Sequence, residues 1–129
     1  MSRTNISSES PWEKQVGYSR AVKVGPHIFI AGTTATDKNG QIVGVNHPYA
    51  QAIQTLNNLT QAVIDAGGRL KDVVRTRIYL KNMSDWEKIA KAHHDFFREI
   101  KPVCTMVEVS AFVHADILVE IEAEAYLIS

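Results

Sequence analysis

The chain has 129 residues, 45% of them apolar, which suits one domain that buries roughly two-thirds of its unfolded surface and is too small for two independent cores. Fourteen basic residues cancel fourteen acidic ones, so there is no net field to gather nucleic acid or an anionic membrane surface. A single cysteine excludes an internal disulfide, no apolar leader opens the chain, and no run approaches the roughly 20 apolar residues of a membrane span, so a reduced, cytoplasmic protein is expected.

Residues 1–15, with Ser7-Ser8-Glu9-Ser10-Pro11, read as a polar extended arm that Trp12 pins to the body, with order beginning near Tyr18. Strands at 18–24 and 27–32 flank Gly25-Pro26 as a hairpin. Asp37-Lys38-Asn39-Gly40 makes a tight turn into a short extended piece at 41–43. Pro48 suits the first turn of a helix whose stripe is Ala52, Leu56, Leu59, Val63 and Ala66, and Gly67-Gly68 ends it. Residues 73–80 alternate Val74, Thr76, Ile78 and Leu80 against Arg75, Arg77 and Tyr79, a strand with one buried face. Ser84 to Glu87 has capping-box spacing with Met83 as staple, so a second helix is expected from Ser84 to a point before Pro102. Strands at 103–109 and 118–127 follow. This order predicts an α+β two-layer sandwich, a mixed β-sheet covered on one side by two helices, in a single domain over 1–129 with its arm at 1–15.

The last strand puts Val119, Ile121, Ala123 and Ala125 on one face and Glu120, Glu122, Glu124 and Tyr126 on the other. A row of carboxylates repels itself unless water, bases or a ligand answer it. Arg75 and Arg77 are expected to answer it across a subunit contact, with Glu108 joining the network, and the open sheet face points to self-association.

Cys104 has three readings: a small buried hydrophobe, a nucleophile, or the wall of a cleft. His93 shares the apolar stripe of the second helix while His94 looks outward, so the pair diverges and makes no metal site; His27 and His114 read as surface residues. The glycines mark turns, with no phosphate-loop spacing.

Val16-Gly17-Tyr18, Ile30-Ala31-Gly32, Ala66-Gly67-Gly68, Phe96-Phe97, Val107-Glu108-Val109 and Glu120-Ile121-Glu122-Ala123 together resemble the RidA/YjgF family, over nearly the whole chain from about Gly17. The resemblance implies a chorismate mutase-like fold, a homotrimer, small-molecule clefts between neighbouring subunits and no cofactor, while the balanced charge and the lack of a spanning apolar run make a nucleic-acid or membrane partner unexpected. Deaminase members grip a substrate carboxylate with an arginine two residues after the proline of the fifth strand motif. That position here is Cys104, and Met106 stands where some members have cysteine. A thiol cannot make the bidentate guanidinium pair. The family tyrosine falls on Tyr18 and the water-positioning glutamate on Glu120, giving an expected catalytic set of Glu120, Tyr18 and Cys104. Gly32 ends the second strand and Ala31 takes a position that often carries a serine hydroxyl. With Thr105 and Trp86 they form the expected substrate-binding set. From the residues alone, Glu120 reads equally as a water positioner or a charge paired across an interface, and Tyr18 as a hydrogen-bond donor or a contact aromatic. The implied function is action on a small imine, enamine or carbonyl metabolite, with hydrolytic deamination as the reaction. The alternatives are a noncatalytic binding or regulatory trimer and an endoribonuclease or translation-inhibitor activity.

Overall fold

The computed structural model describes residues 2–128. In chain order its elements are β1 (Arg3–Ile6), α1 (Pro11–Val16), β2 (Ala21–Val24), β3 (His27–Thr33), α2 (Pro48–Asp65), β4 (Val73–Leu80), α3 (Trp86–Phe97), β5 (Val103–Glu108) and β6 (Val119–Tyr126). Strand alternation and helix stripes decide the architecture. Val119, Ile121, Ala123 and Ala125 of β6 and Ile28 and Ile30 of β3 are buried on the sheet face that meets Ala52, Leu56, Leu59 and Val63 of α2 and Ile89, Ala92 and Phe97 of α3. The result is an α+β two-layer sandwich: a six-stranded sheet in the order β1-β2-β3-β6-β4-β5, with α2 packed on α3, β6 and β3. All neighbours are antiparallel except β4 and β5, which run parallel across the α3 crossover.

Several expectations are corrected. Residues 1–15 are not an extended arm, because Arg3–Ile6 pairs antiparallel with β2 and lengthens the sheet. The turn of α1 follows, with the Ser10 hydroxyl accepting from the Trp12 amide and Gly17 closing the turn at φ 87°. The anchor is Glu13 rather than Trp12. Its buried carboxylate accepts hydrogen bonds from the Ser7 hydroxyl and from the Ser8 amide and hydroxyl. Polar residues at 7–13 read as loop from composition, yet they satisfy one another around that carboxylate.

Ser84 does not start the second helix. A 3-10 turn occupies Met83–Asp85, α3 begins at Trp86, and the Met83 amide is capped at 2.7 Å by the Glu108 carboxylate from β5. Glu108 therefore serves this junction and not the carboxylate row. Val74 leaves the buried face: a register shift between Val73 and Arg75 puts Val73 inside and Val74 outside. Finally, Glu122 and Glu124 of the glutamate row are answered within the chain rather than across a subunit contact. Arg75 meets Glu124 at 3.2 Å, and Arg77 lies 3.5 Å from Glu124 and 3.8 Å from Glu122. These half-exposed pairs relieve repulsion and contribute little net stability.

Candidate functional site

Two clusters, on opposite faces of the sheet, hold the candidate residues. Glu120 sits opposite Tyr79 in the β4–β6 ladder, on the open face. Cys104 sits opposite Thr76 in the β4–β5 ladder, and Thr76 and Ile78 are buried on the helix face. Side chains opposite each other in register share a face. Glu120 and Cys104 therefore cannot meet within one chain.

The open-face cluster depends on a bulge. Register shifts between Ile30 and Thr33, so Thr33 pairs with Ile121 while Ala31 and Gly32 together stand against Glu122 alone. A Cβ built on Gly32 would land inside the van der Waals shell of Glu120 Oε2. Glycine is required here for close approach to a carboxylate rather than for a turn. Arg20 crosses the same corner: its Nη1 donates to the Gly32 carbonyl at 3.1 Å and to Thr33 Oγ1 at 3.2 Å, and its Nη2 reaches the Tyr18 hydroxyl at 3.4 Å. The guanidinium also stands 5.6 Å from the centre of the Tyr18 ring.

Glu120 makes no ion pair and no hydrogen bond among the described residues. Burial pushes its carboxyl above the ordinary value; Arg20 pulls it back down, and Glu122 adds a further upward push. Next to it the Tyr79 hydroxyl donates to Glu122, and this bond, burial and the Glu122 charge push the phenol up. Glu122 and Glu124 are thus engaged by tyrosine and arginines, whereas Glu120 is left uncommitted.

The helix-face cluster is a cleft of about 370 Å³ between α3 and the edge strand β5, lined by Ile78, His93, Phe97, Arg98, Cys104 and Met106 among others. Its size suits a small metabolite. Cys104 is exposed in its wall, which sets aside the buried-hydrophobe reading. His93 Nε2 lies 2.9 Å from Thr76 Oγ1 and its ring packs 4.5 Å from that of Phe97, and burial pushes its pKa down, so the imidazole is neutral near pH 7.

Of the sequence-expected residues, Tyr18, Ala31, Gly32 and Glu120 gather at the β3 bulge. Thr105 pairs with Arg77 and so faces the open side, away from Cys104, and exposed Trp86 stands at the start of α3 outside the cleft lining. Arg20, Tyr79 and His93 are site residues that the sequence reading did not assign. Arg20 carried a local signal, standing two residues after Tyr18 and so able to share its neighbourhood. Among the described residues no cluster of three or more His, Cys, Asp or Glu could hold a metal ion, and no helix is long and apolar enough to cross a membrane.

The Endoribonuclease L-PSP family model matches residues 9–127. The chain belongs to the RidA/YjgF family. RutC family protein PH0854 of Pyrococcus horikoshii is 41% identical over 115 residues, spanning 88% of this chain and 90% of that protein. The 3-aminoacrylate deaminase RutC of Acinetobacter baylyi is 30% identical over 110 residues, spanning 85% and 86%. Among solved structures, Rv2704 of Mycobacterium tuberculosis, a YjgF/YER057c/UK114 family member, matches with TM-score 0.89 and 44% identity over 98% of this chain and 100% of that one.

Proposed function

We propose that this RidA-like protein hydrolyses a small imine or enamine at a site shared between two copies of the chain, with Glu120 from one and the Cys104 cleft from its neighbour. The uncommitted Glu120 carries the reading. It is the open-face glutamate without a partner among the described residues, it is partly desolvated, and a carboxylate whose pKa is raised toward the working pH is a better base. The opposite placement of the two clusters supports a shared site, and a closed trimer is the expected assembly. The RutC relative, named a deaminase, supports the reaction class.

The chemistry balances without a cofactor. Water oxygen attacks the C=N carbon while its proton passes through Glu120 to nitrogen, giving a carbinolamine. The hydroxyl proton then travels the same way, the C–N bond breaks, and a carbonyl product and ammonia leave. Tyr18 hydrogen-bonds the ligand or relays a proton, and backbone groups at Ala31 and Gly32 hold its polar end. The rival reading, a trimer that binds a metabolite without turnover, draws on Cys104 in place of the anchoring arginine. An RNA-directed activity has less support, since Arg75 and Arg77 are already paired with glutamates.

Ammonia release from freshly generated 2-iminopropionate and 2-iminobutyrate separates the first two readings. Acceleration that Glu120→Gln abolishes supports hydrolysis, and none by well-folded protein leaves the binding role.

A further inference from the structure

Arg20 is held at both ends of its side chain. Its amide donates to the Ile6 carbonyl of β1 at 2.8 Å and its carbonyl accepts from the Ala31 amide of β3 at 3.0 Å, so the stem rises from a residue locked between two strands. At the far end Nη1 bridges the Gly32 carbonyl and Thr33 Oγ1, while Nη2 reaches the Tyr18 hydroxyl. Thr33 Oγ1 in turn donates to the Ala31 carbonyl at 2.8 Å, so the bulge is tied from both sides. Gly32 is the residue whose missing side chain gives the Glu120 carboxylate its space.

A purely structural tie would be built differently. All three acceptors are uncharged, and Arg20 forms no ion pair among the described residues. Its Nε is buried with no acceptor among the described residues, and a buried orphan donor costs stability. A neutral amide side chain would close the bulge without a buried charge. The charge has a use at Glu120, whose carboxyl Arg20 pulls down against burial and the Glu122 charge. The other groups around Glu120 are occupied: Tyr79, opposite it in the ladder, donates to Glu122, and Arg77 pairs with Glu122 and Glu124.

We infer that Arg20 is the positioning residue of the open-face cluster: its guanidinium fixes the β3 bulge and the Tyr18 hydroxyl so that Glu120 is aimed and kept free to handle water. The inference rests on the reading of Glu120 as the group that handles water. It also makes β1 a support of the site, because β1 holds the Arg20 backbone.

Two variants of the full chain separate the grip from the charge. Arg20→Lys keeps the charge and loses the planar fork, and Arg20→Met keeps the bulk and loses both. With freshly generated 2-iminobutyrate, each is expected to lower kcat about tenfold or more with KM changed far less. Glu120 works deprotonated, so the acidic limb of the kcat/KM profile follows its carboxyl. That limb should move to higher pH in Arg20→Met, which lacks the downward pull, and stay near its wild-type place in Arg20→Lys. The carboxyl NMR shift of isotopically labelled Glu120, assigned with Glu120→Gln, gives the same titration without substrate. Activity that falls only in step with Tm, with an unmoved limb, makes Arg20 a structural tie and overturns the inference. Wild-type kcat in both variants overturns it as well. Should Arg20→Met not fold, Arg20→Lys decides: a lowered kcat at an unchanged Tm supports the grip and a wild-type kcat overturns it. If the wild-type protein releases no ammonia, the hydrolysis reading falls and the NMR titration decides. A Glu120 midpoint raised in Arg20→Met keeps Arg20 as the residue that sets this corner, and an unmoved midpoint overturns the inference.

Discussion

Gly32 and Glu120 form a matched pair, because the missing side chain of one is the space occupied by the carboxylate of the other. Gly32→Ala is therefore expected to fold, since the obstructing atom ends a flexible side chain, with Tm lowered by only a few degrees. The displaced carboxylate should cost about tenfold or more in kcat/KM, as misplacement of a positioned group does. Full activity in Gly32→Ala would detach Glu120 from the chemistry. Glu120→Gln tests the same residue in the opposite sense: turnover should fall by roughly 10²–10⁴ while stability rises at neutral pH. The folded chain raises the Glu120 pKa, so between the unfolded and folded values the native state binds more protons. The contribution of Glu120 is present below the unfolded pKa and is lost as pH rises through the folded pKa. The Tm advantage of Glu120→Gln should accordingly be largest at neutral pH and vanish as pH falls below about 4. An advantage that does not vary with pH would contradict the desolvated carboxylate.

At the scale of elements, the N-terminal segment is held by the Glu13 carboxylate. Burial pushes the Glu13 pKa up, but hydrogen bonds from Ser8 and Ser7, with Arg20 nearby, more than offset this and leave it below its ordinary value. The sign is opposite to that of Glu120: the stabilisation is present above the unfolded pKa and is lost as pH falls through the folded one. Protection of the Ser8 amide against exchange should therefore fall in acid before that of the β3–β6–β4 centre, and Glu13→Gln should weaken that pH dependence. Equal protection of Ser8 at low and neutral pH would remove Glu13 as the anchor. This segment was not legible in the sequence, because its order comes from serines converging on one carboxylate rather than from an apolar period. The periodic elements were legible. The α2 stripe and the β6 alternation each report burial directly, and their residues are the core. The start of α3 misled because capping-box spacing does not by itself fix a helix start, and Glu108, 21 residues after Glu87, accepts from the Met83 amide instead. The candidate open-face cluster was legible in part. Tyr18, Gly32 and Glu120 could be placed by likeness, whereas Arg20 joins them through the β3 bulge, a tertiary feature without a sequence period.

For the whole molecule, the decisive fact is that Glu120 and Cys104 face opposite sides of one sheet. A chain that works alone would have to use one cluster without the other. The open face also exposes Phe29, Val103, Val107 and Tyr126 around the paired charges, and a closed assembly would cover them. Native mass measurement is expected to give three chains, and a stable monomer at working concentration would contradict a shared site. The most direct measurement is complementation, in which Glu120→Gln chains are co-expressed with Cys104→Trp chains whose cleft is filled, and ammonia release from 2-iminobutyrate is followed. Each variant alone should be inactive, and random co-assembly should restore about a quarter of wild-type turnover, because about one interface in four then joins an intact Glu120 to an intact cleft. Mixed assemblies as inactive as their parents, beside an active wild-type protein, would contradict the shared site.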